Sequence, residues 1–519
     1  SQNTAVGLRA LRANSTASNN TAVGYYALDA NTTGTQQVAV GGQALASNTT
    51  GNYNQAFGYF ALNANTTANY NTAVGYIALG ANTTGSFNTG LGRSSLAANT
   101  TGAGNVAVGD VALDANTTGS TNVAVGGSAL GSNTTASDNT AVGNNSMAVN
   151  TTGEKNTAVG ANALDANTTA PNNTAVGYNS LTANTTGESN TAVGAFSLTS
   201  VTTGEKNSAV GRGALSTNTG SSNSAMGYNA LTSNTSASNN VGVGKDALAV
   251  NTTGSENVAV GHSALDANTT ATNNVAVGYL ALTTTSTGGS NTAIGRSSLA
   301  NNTASNNTAV GNSALAVNTT GIQNVAVGCF AGDNCTTGNN NVYIGDNAGN
   351  THATGGGCTY IGRACNCSTN SVSDEIVIGT NLGGKGSQTA FIGGTSGTFN
   401  AKNVTTFETT SDQRIKKNIV NYDIGLSIIN QLQVKNYEYK TEDEIKTDNP
   451  ELSDVIKSAV VNKTGIQTGL IAQETEAVLA STVNTSSTGV KTLCTDDIFW
   501  HMLNAIKELS AKVTALEAG

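Results

Sequence analysis

A glycine returns at every seventeenth position through most of this chain, and no other feature limits its possible folds so strongly. Aligned on the glycine of NTAVG, it stands at Gly7, Gly24, Gly41, Gly58, Gly75, Gly92 and onward to Gly379 and Gly393, and all but three of the intervals share that one length. The exceptions are two intervals shorter by one position, Gly211–Gly227 and Gly295–Gly311, and a still shorter last one, Gly379–Gly393. So constant a spacing fits a solenoid, in which each repeat is one coil stacked on the last and an insertion would break the stack.

The unit NTAVGYYALDANTTGTQ divides by side-chain type. Thr and Val in NTAVG favour a short strand. Val23, Val40, Val74, Val108 and Val125, each one position before the glycine, are expected to form an inward ladder. The residue after the glycine varies freely (Tyr25, Gly42, Tyr59, Arg93, Asp110, Lys245, His262) and should face solvent. Four residues past the glycine, Leu28, Leu45, Leu62, Leu79, Leu96 and Leu113 form a second apolar ladder, in a segment whose sequence fits both a strand and a helical turn. NTTG then turns the chain, with Asn and Thr bonding nearby backbone and Gly accepting positive φ. About two sizeable apolar side chains per coil set against roughly 1–2 kcal/mol of backbone entropy per residue make a thin rod, so association of several chains is expected. At about 4.8 Å per coil the rod would reach on the order of 115 Å.

These repeats resemble the NSVAIG-type units of trimeric autotransporter adhesin heads, which are left-handed parallel β-rolls assembled as trimers. The longer variants such as NVYIGDNAG are similar to repeats of bacteriophage tail fibres. The resemblance spans roughly residues 1–395. From Gly328 the Leu ladder stops and aromatic and Ile residues enter the strand, as in NVYIGDNAG, CTYIG and IVIG. The domain reading is therefore 1–327 regular solenoid, 328–400 variant end section, 401–410 connector and 411–519 a separate domain. The first residues already belong to a repeat, so the sequence reads as a fragment or processed product.

Several signals within the rod have two readings. Asn31, Asn48, Asn65, Asn82, Asn99 and Asn116 head formal glycosylation sequons, which read better as a stacked polar ladder. Thr32 and Thr33 fall in a turn, which argues against an ice-binding face. Exposed Tyr25, Tyr59, Tyr76, Tyr178, Tyr228 and Tyr279 are suited to stacking on a glycan ring or to covering a neighbouring coil. Cys335 and His352, one period apart, should stack on adjacent coils near Cys358, Cys365 and Cys367. The spacing lacks the paired CxxC of a zinc site, so structural cysteines are expected and no metal or other cofactor.

At TTSDQRIKKN, Thr409–Asn418, the chemistry changes. Residues 1–410 carry 11 Lys/Arg and 16 Asp/Glu, whereas 411–519 carry 11 and 15 in about a quarter of the length. The net charge of -9 leaves no basic footprint for nucleic acid, and no apolar run approaches the roughly 20 residues of a membrane span. The final segment places Ile498, Met502, Ile506, Leu509, Val513 and Leu516 in a narrow helical stripe suited to a coiled coil.

S-D-Q-R-I-K at Ser411–Lys416, TGLIAQE from Thr468 and the terminal helix closely resemble, in that order, the intramolecular chaperone or peptidase S74 domain. That domain ends phage endosialidases and tail fibres and also lies within the myelin regulatory factor. CTDDIFWHML departs from the usual entry into the last helix. The resemblance implies a trimerising chaperone that acts once as an autoproteolytic serine peptidase. It implies Ser411 as nucleophile, Lys416 as general base, the bond Thr410–Ser411 as the cleavage site, and Asp412, Arg414 and Asn418 as supporting residues. Chemically, Lys416 could serve only with its pKa lowered from about 10.4 towards 7–8, roughly 4 kcal/mol of environment. A five-residue offset puts the two side chains on opposite faces of a strand, so a bend or another subunit must complete the site.

The expected function is a homotrimeric tail fibre of a virion that binds a host cell-surface glycan or protein and joins upstream fibre or tail proteins. Nucleic-acid binding and membrane insertion are not expected. A bacterial surface adhesin on the same trimeric plan, or a purely structural spacer, is the alternative.

Overall fold

The computed structural model describes residues 2–393, 398–400, 417–448, 464–485 and 491–519, and the chain divides into two compact units, Ser1–Thr409 and Thr410–Gly519. The first is the parallel β-solenoid that the glycine period predicts, with one strand per coil from β1 (Thr4–Val6) to β24 (Ala390–Gly393). Each strand pairs in register with the next coil: Thr21 lies beside Val38, Ala22 beside Ala39 and Val23 beside Val40. An antiparallel strand, β25 (Thr398–Asn400), covers β24. The two coils shortened by one position keep the register, with Ala209 beside Ala225 and Ala293 beside Ala309.

Which strand residue faces inward differs from the expectation. Ala22, Ala39, Ala56 and Ala73, the middle residues, are fully buried, whereas the valines before the marker glycine are part-exposed and Phe57, Leu91 and Met226 are exposed. A three-residue strand turns only its centre inward if its ends face out. The inward apolar side is the Leu column, Leu28 to Leu113 and beyond, which is fully buried. A Cβ built on Gly242 would stand 3.2 Å from Leu231, so a strand opposite a leucine has room for little more than a methyl group.

The segment bearing the leucine is neither strand nor helical turn. Tyr26 (φ 58°) and Leu28 (φ 50°) are left-handed while Ala27 between them is not, and the alternation repeats coil after coil. Its consequence is axial hydrogen bonding in both directions. Tyr26 N–H donates to Leu8 O of the preceding coil (2.9 Å), and Leu28 N–H donates to Ala44 O of the following one (3.1 Å). A left-handed non-glycine residue costs roughly 1–2 kcal/mol, offset here by satisfying buried backbone groups that a regular helix turn would leave without stacked partners.

The marker glycine is irreplaceable for two reasons at once. Gly24 has φ +143°, and a Cβ on it would sit 2.3 Å from Gly41 O of the next coil. The glycine of NTTG behaves differently from the expectation: Gly34 is not left-handed, and Ala17 and Ala68 occupy the same place in other coils. The left-handed turn residue comes two positions later, at Gln36, Tyr53 and Tyr70.

Two columns of buried asparagine complete the coil. In the first, Nδ2 of Asn99 donates to Oδ1 of Asn82 (2.8 Å) and to Gly102 O (3.0 Å), and Nδ2 of Asn116 donates to Asn99 Oδ1 (2.8 Å). In the second, Asn88 N–H donates to Asn71 Oδ1 (2.9 Å) and Asn88 Nδ2 to Gly102 O (2.9 Å). Both columns thus converge on one turn carbonyl, using both its lone pairs. Asn31, Asn48 and Asn65 are fully buried, which closes the sequon reading and supports the stacked ladder. The second column, the Asn of NTAVG, carries no signal in the sequence beyond its recurrence. Both short coils lose their residue between the columns, at Asn218–Asn223 and Asn302–Asn307, where the chain merely turns.

In the end section the core exchanges sizes. Gly332 and Gly349 replace leucine, and Tyr343 and Tyr360 replace the inward alanine. A Cβ on Gly332 would lie 2.7 Å from the Tyr343 ring, so the glycines vacate the volume that the stacked tyrosines (centroids 5.7 Å apart) fill.

The second unit is a small assembly of helices and strands: α1 (Leu426–Ile429), β26 (Lys435–Tyr437), α2 (Glu442–Asp448), β27 (Gln467–Gly469), α3 (Ala472–Val478), β28 (Val483–Thr485), β29 (Lys491–Leu493) and the 22-residue helix α4 (Asp496–Glu517). β26 pairs antiparallel with β27, and β28 with β29.

Candidate autoproteolytic site and chaperone unit

Of the residues that the SDQRIK motif singles out, Thr410, Ser411, Asp412, Arg414 and Lys416 lie outside the described residues. Asn418 is described: it is exposed, in a bend, and left-handed at φ 55°, a conformation that Asn adopts more readily than most side chains. The described part of the unit thus begins with a bend at Asn418.

The segment after this bend is tied to the terminal helix. The His501 ring bridges Tyr422 and Ile424: Nδ1–H donates to Ile424 O (3.0 Å), which leaves Nε2 to accept the Tyr422 hydroxyl (3.2 Å). Tyr422 also meets His501 edge-on, with centroids 5.2 Å apart. At Gly425 the backbone passes so near α4 that a Cβ would fall 2.2 Å from Ala505 N. Leu426 N–H donates to Glu508 Oε2 (3.3 Å), capping α1 against the same helix. Tyr422, Gly425 and His501 are not distinguished in the sequence; the only signal is a glycine heading an amphipathic run, which by itself marks a turn.

The apolar stripe of α4 divides. Ile498 is buried, whereas Met502, Ile506, Leu509, Val513 and Leu516 are exposed in the single chain. Leu426 and Ile429 line an apolar groove with Met502, Ala505, Ile506 and Leu509, and beyond it the stripe continues uncovered. Lys491 and Glu476 pair at 2.6 Å, joining β29 to α3.

The cysteine cluster of the end section is structural in its contacts. Cys335 and His352 occupy successive places of the first asparagine column, and Cys358 and Glu375 those of the second. His352 Nε2–H donates to Val372 O (2.9 Å), and Nδ1 accepts the Tyr343 hydroxyl (2.7 Å). Burial holds its pKa below the usual value, keeping the ring neutral. Glu375 accepts from the Tyr360 hydroxyl (3.1 Å) and from Ser368 and Gly386 N–H (3.2 and 2.8 Å). The cysteines are free thiols, and burial raises the pKa of Cys335, Cys358 and Cys365. Among the described residues, no group of three or more His, Cys, Asp or Glu is placed to hold a metal ion. No described helix is long and apolar enough to cross a membrane.

Residues 411–484 match the family of the chaperone of endosialidase, Peptidase_S74. This domain behind a β-solenoid body fits a tail-fibre-type protein with a C-terminal chaperone, and the family implies autoproteolytic peptidase activity in that domain. No curated protein and no solved structure matches the chain.

Proposed function

We propose that this chain is the distal part of a bacteriophage tail fibre: a homotrimeric rod that attaches the virion to a host-surface glycan or protein and ends in a self-removing chaperone. The observation that carries the reading is the position of the family match. It begins at Ser411, immediately after the first residue of the second compact unit. In this reading the Ser411 hydroxyl attacks the Thr410 carbonyl and its proton passes to Lys416; the Thr410–Ser411 amide breaks as its nitrogen takes that proton, and water hydrolyses the resulting ester to free residues 411–519, with Asp412, Arg414 and Asn418 shaping the site. The exposed part of the α4 stripe pairs with its copies as a three-stranded coiled coil.

The division of labour has a physical reason. Near-identical coils pair out of register at almost equal energy, so a separately folding trimer at one end fixes the register before the rod closes. Cleavage afterwards leaves a rod that cannot readily retrace its folding path. The test is a denaturing gel of the expressed chain beside Ser411→Ala. Residues 411–519 separate as a small band only from the unmutated chain; an intact band from both removes autoproteolysis from the reading.

A further inference from the structure

We propose that the turn edge of the solenoid holds a notch, beside Phe87 and over Gly104, that binds one uncharged pyranose ring of a surface glycan. The inference rests on the host-attachment reading above and names where a sugar would be held.

The left-handed turn residue two positions before each strand stacks on its counterpart in the next coil. In three successive coils it is aromatic. The Tyr53 and Tyr70 rings lie parallel with centroids 4.8 Å apart, and those of Tyr70 and Phe87 with centroids 5.1 Å apart. The next residue of the column is Gly104, so the stack stops and the second face of Phe87 is left bare. Phe87 is 64% exposed, more than any other described aromatic residue. Neither backbone nor packing calls for this glycine. Phe87 (φ 63°), Thr121 (φ 58°) and Asp138 (φ 62°) hold the same left-handed place without one, and a Cβ on Gly104 would meet Thr121 Cγ2 at an ordinary 3.6 Å. What the glycine does is open the column. Further along, the column carries Asp138, Lys155, Lys206 and Glu256, so it faces water rather than another copy of the chain.

The shape and the walls of the notch choose the occupant. It spans two coil steps, about 9.6 Å from Phe87 to Thr121, so a six-membered ring between them sits about 4.8 Å from Phe87. The aromatic stack already keeps that spacing. The electron-rich face of Phe87 takes the C–H face of a pyranose. On the far side the Thr121 hydroxyl bonds Asp138 Oδ1 and Ser120 O, which sets acceptors before the ring hydroxyls. On the near side stands a donor. Asn69, Ala103 and Ser120 N–H each donate to a serine hydroxyl one coil on, Ser86 Oγ (3.0 Å), Ser120 Oγ (3.1 Å) and Ser137 Oγ (3.0 Å). Ser86 N–H meets Ala103 instead, which offers no such oxygen, and a sugar oxygen supplies it. The Asp138 carboxylate disfavours an acidic sugar.

The test is saturation-transfer NMR on the full chain with the methyl pyranosides of glucose, galactose, mannose and N-acetylglucosamine, the methyl glycoside of sialic acid, and N-acetyltyrosine amide. The expected result is transfer to ring C–H protons of at least one neutral pyranoside, at least about tenfold weaker in Gly104→Tyr and in Phe87→Ala, and none to the acidic sugar. Gly104→Tyr extends a stack whose place tyrosine already holds at 53 and 70, and native mass and hydrogen exchange check that it folds; if it does not, Phe87→Ala decides. No transfer to any neutral pyranoside, equal transfer in parent and variants, or transfer to the tyrosine amide alone overturns the notch as a sugar site. The Ser411→Ala gel reads the fibre assignment independently. An intact band from both chains removes that assignment, while a sugar signal abolished by Gly104→Tyr still establishes the notch.

Discussion

Replacing Asn99 by Val should cut the first asparagine column in mid-rod, and the cost follows from its contacts. Asn99 gives two hydrogen bonds, to Asn82 Oδ1 and Gly102 O, and accepts one from Asn116. All three are buried. At about 1 kcal/mol net each, plus about 1–3 kcal/mol for leaving Asn82 Oδ1 unpaired, and less about 1–1.5 kcal/mol for the added apolar side chain, the loss is about 2.5–5 kcal/mol. The chain already contains the reciprocal experiment. Val201, Thr285 and Cys335 interrupt the column, and the Oδ1 atoms of Asn184, Asn268 and Asn318, one coil before each, have no partner. Val201→Asn should restore a donor to Asn184 and an acceptor to Asn218, stabilising that coil by about 1 kcal/mol after the lost valine burial is subtracted. Because a long repeat array opens locally rather than all at once, the assay is native-state hydrogen exchange resolved by peptide. Protection in the peptides around residue 99 should fall by tenfold or more, and protection around 201 should rise severalfold. Unchanged exchange at 99, or faster exchange in Val201→Asn, would refute the view that the amide column holds the coils together.

The size exchange in the end section predicts that Gly332→Ala destabilises that section by about 1–3 kcal/mol through overpacking against Tyr343, and that in a Tyr343→Ala background, itself destabilised, the same substitution costs little; local exchange near residue 343 reads both. Burial raises the carboxyl pKa of Asp114, Asp165, Asp266 and Asp333. A raised folded pKa means that the folded rod binds the proton more tightly, so their contribution to stability is full below the ordinary value of 3.8 and is lost as pH rises through the folded pKa. Asp165→Asn, whose parent Oδ1 is unpaired, should therefore slow local exchange at pH 7 and leave it little changed at pH 3. Gly425→Ala should push the Tyr422–Leu426 segment off α4, seen as loss of protection in residues 417–430 and a lower yield of assembled rod.

The period alone carried the solenoid, because a short, constant repeat with one Gly and one Leu per turn has few other ways to bury anything. It also placed the Leu column, the solvent-facing Tyr25 and Tyr59, and the stacking of Cys335 under His352. The SDQRIK motif carried the chaperone, whose family match begins at the same serine. What the sequence could not settle was direction. Ala-Val in a three-residue strand is compatible with either residue facing in, since the alternation has period two and the strand is too short to fix its phase. The leucine across the coil fixed it, by leaving space only for alanine. The left-handed Leu28, the convergence of two asparagine columns on one carbonyl and the docking of Gly425 on Ala505 were likewise decided in three dimensions. Each depends on a neighbour one coil away or, for Gly425, far along the chain, and local propensity contains no term for such a neighbour.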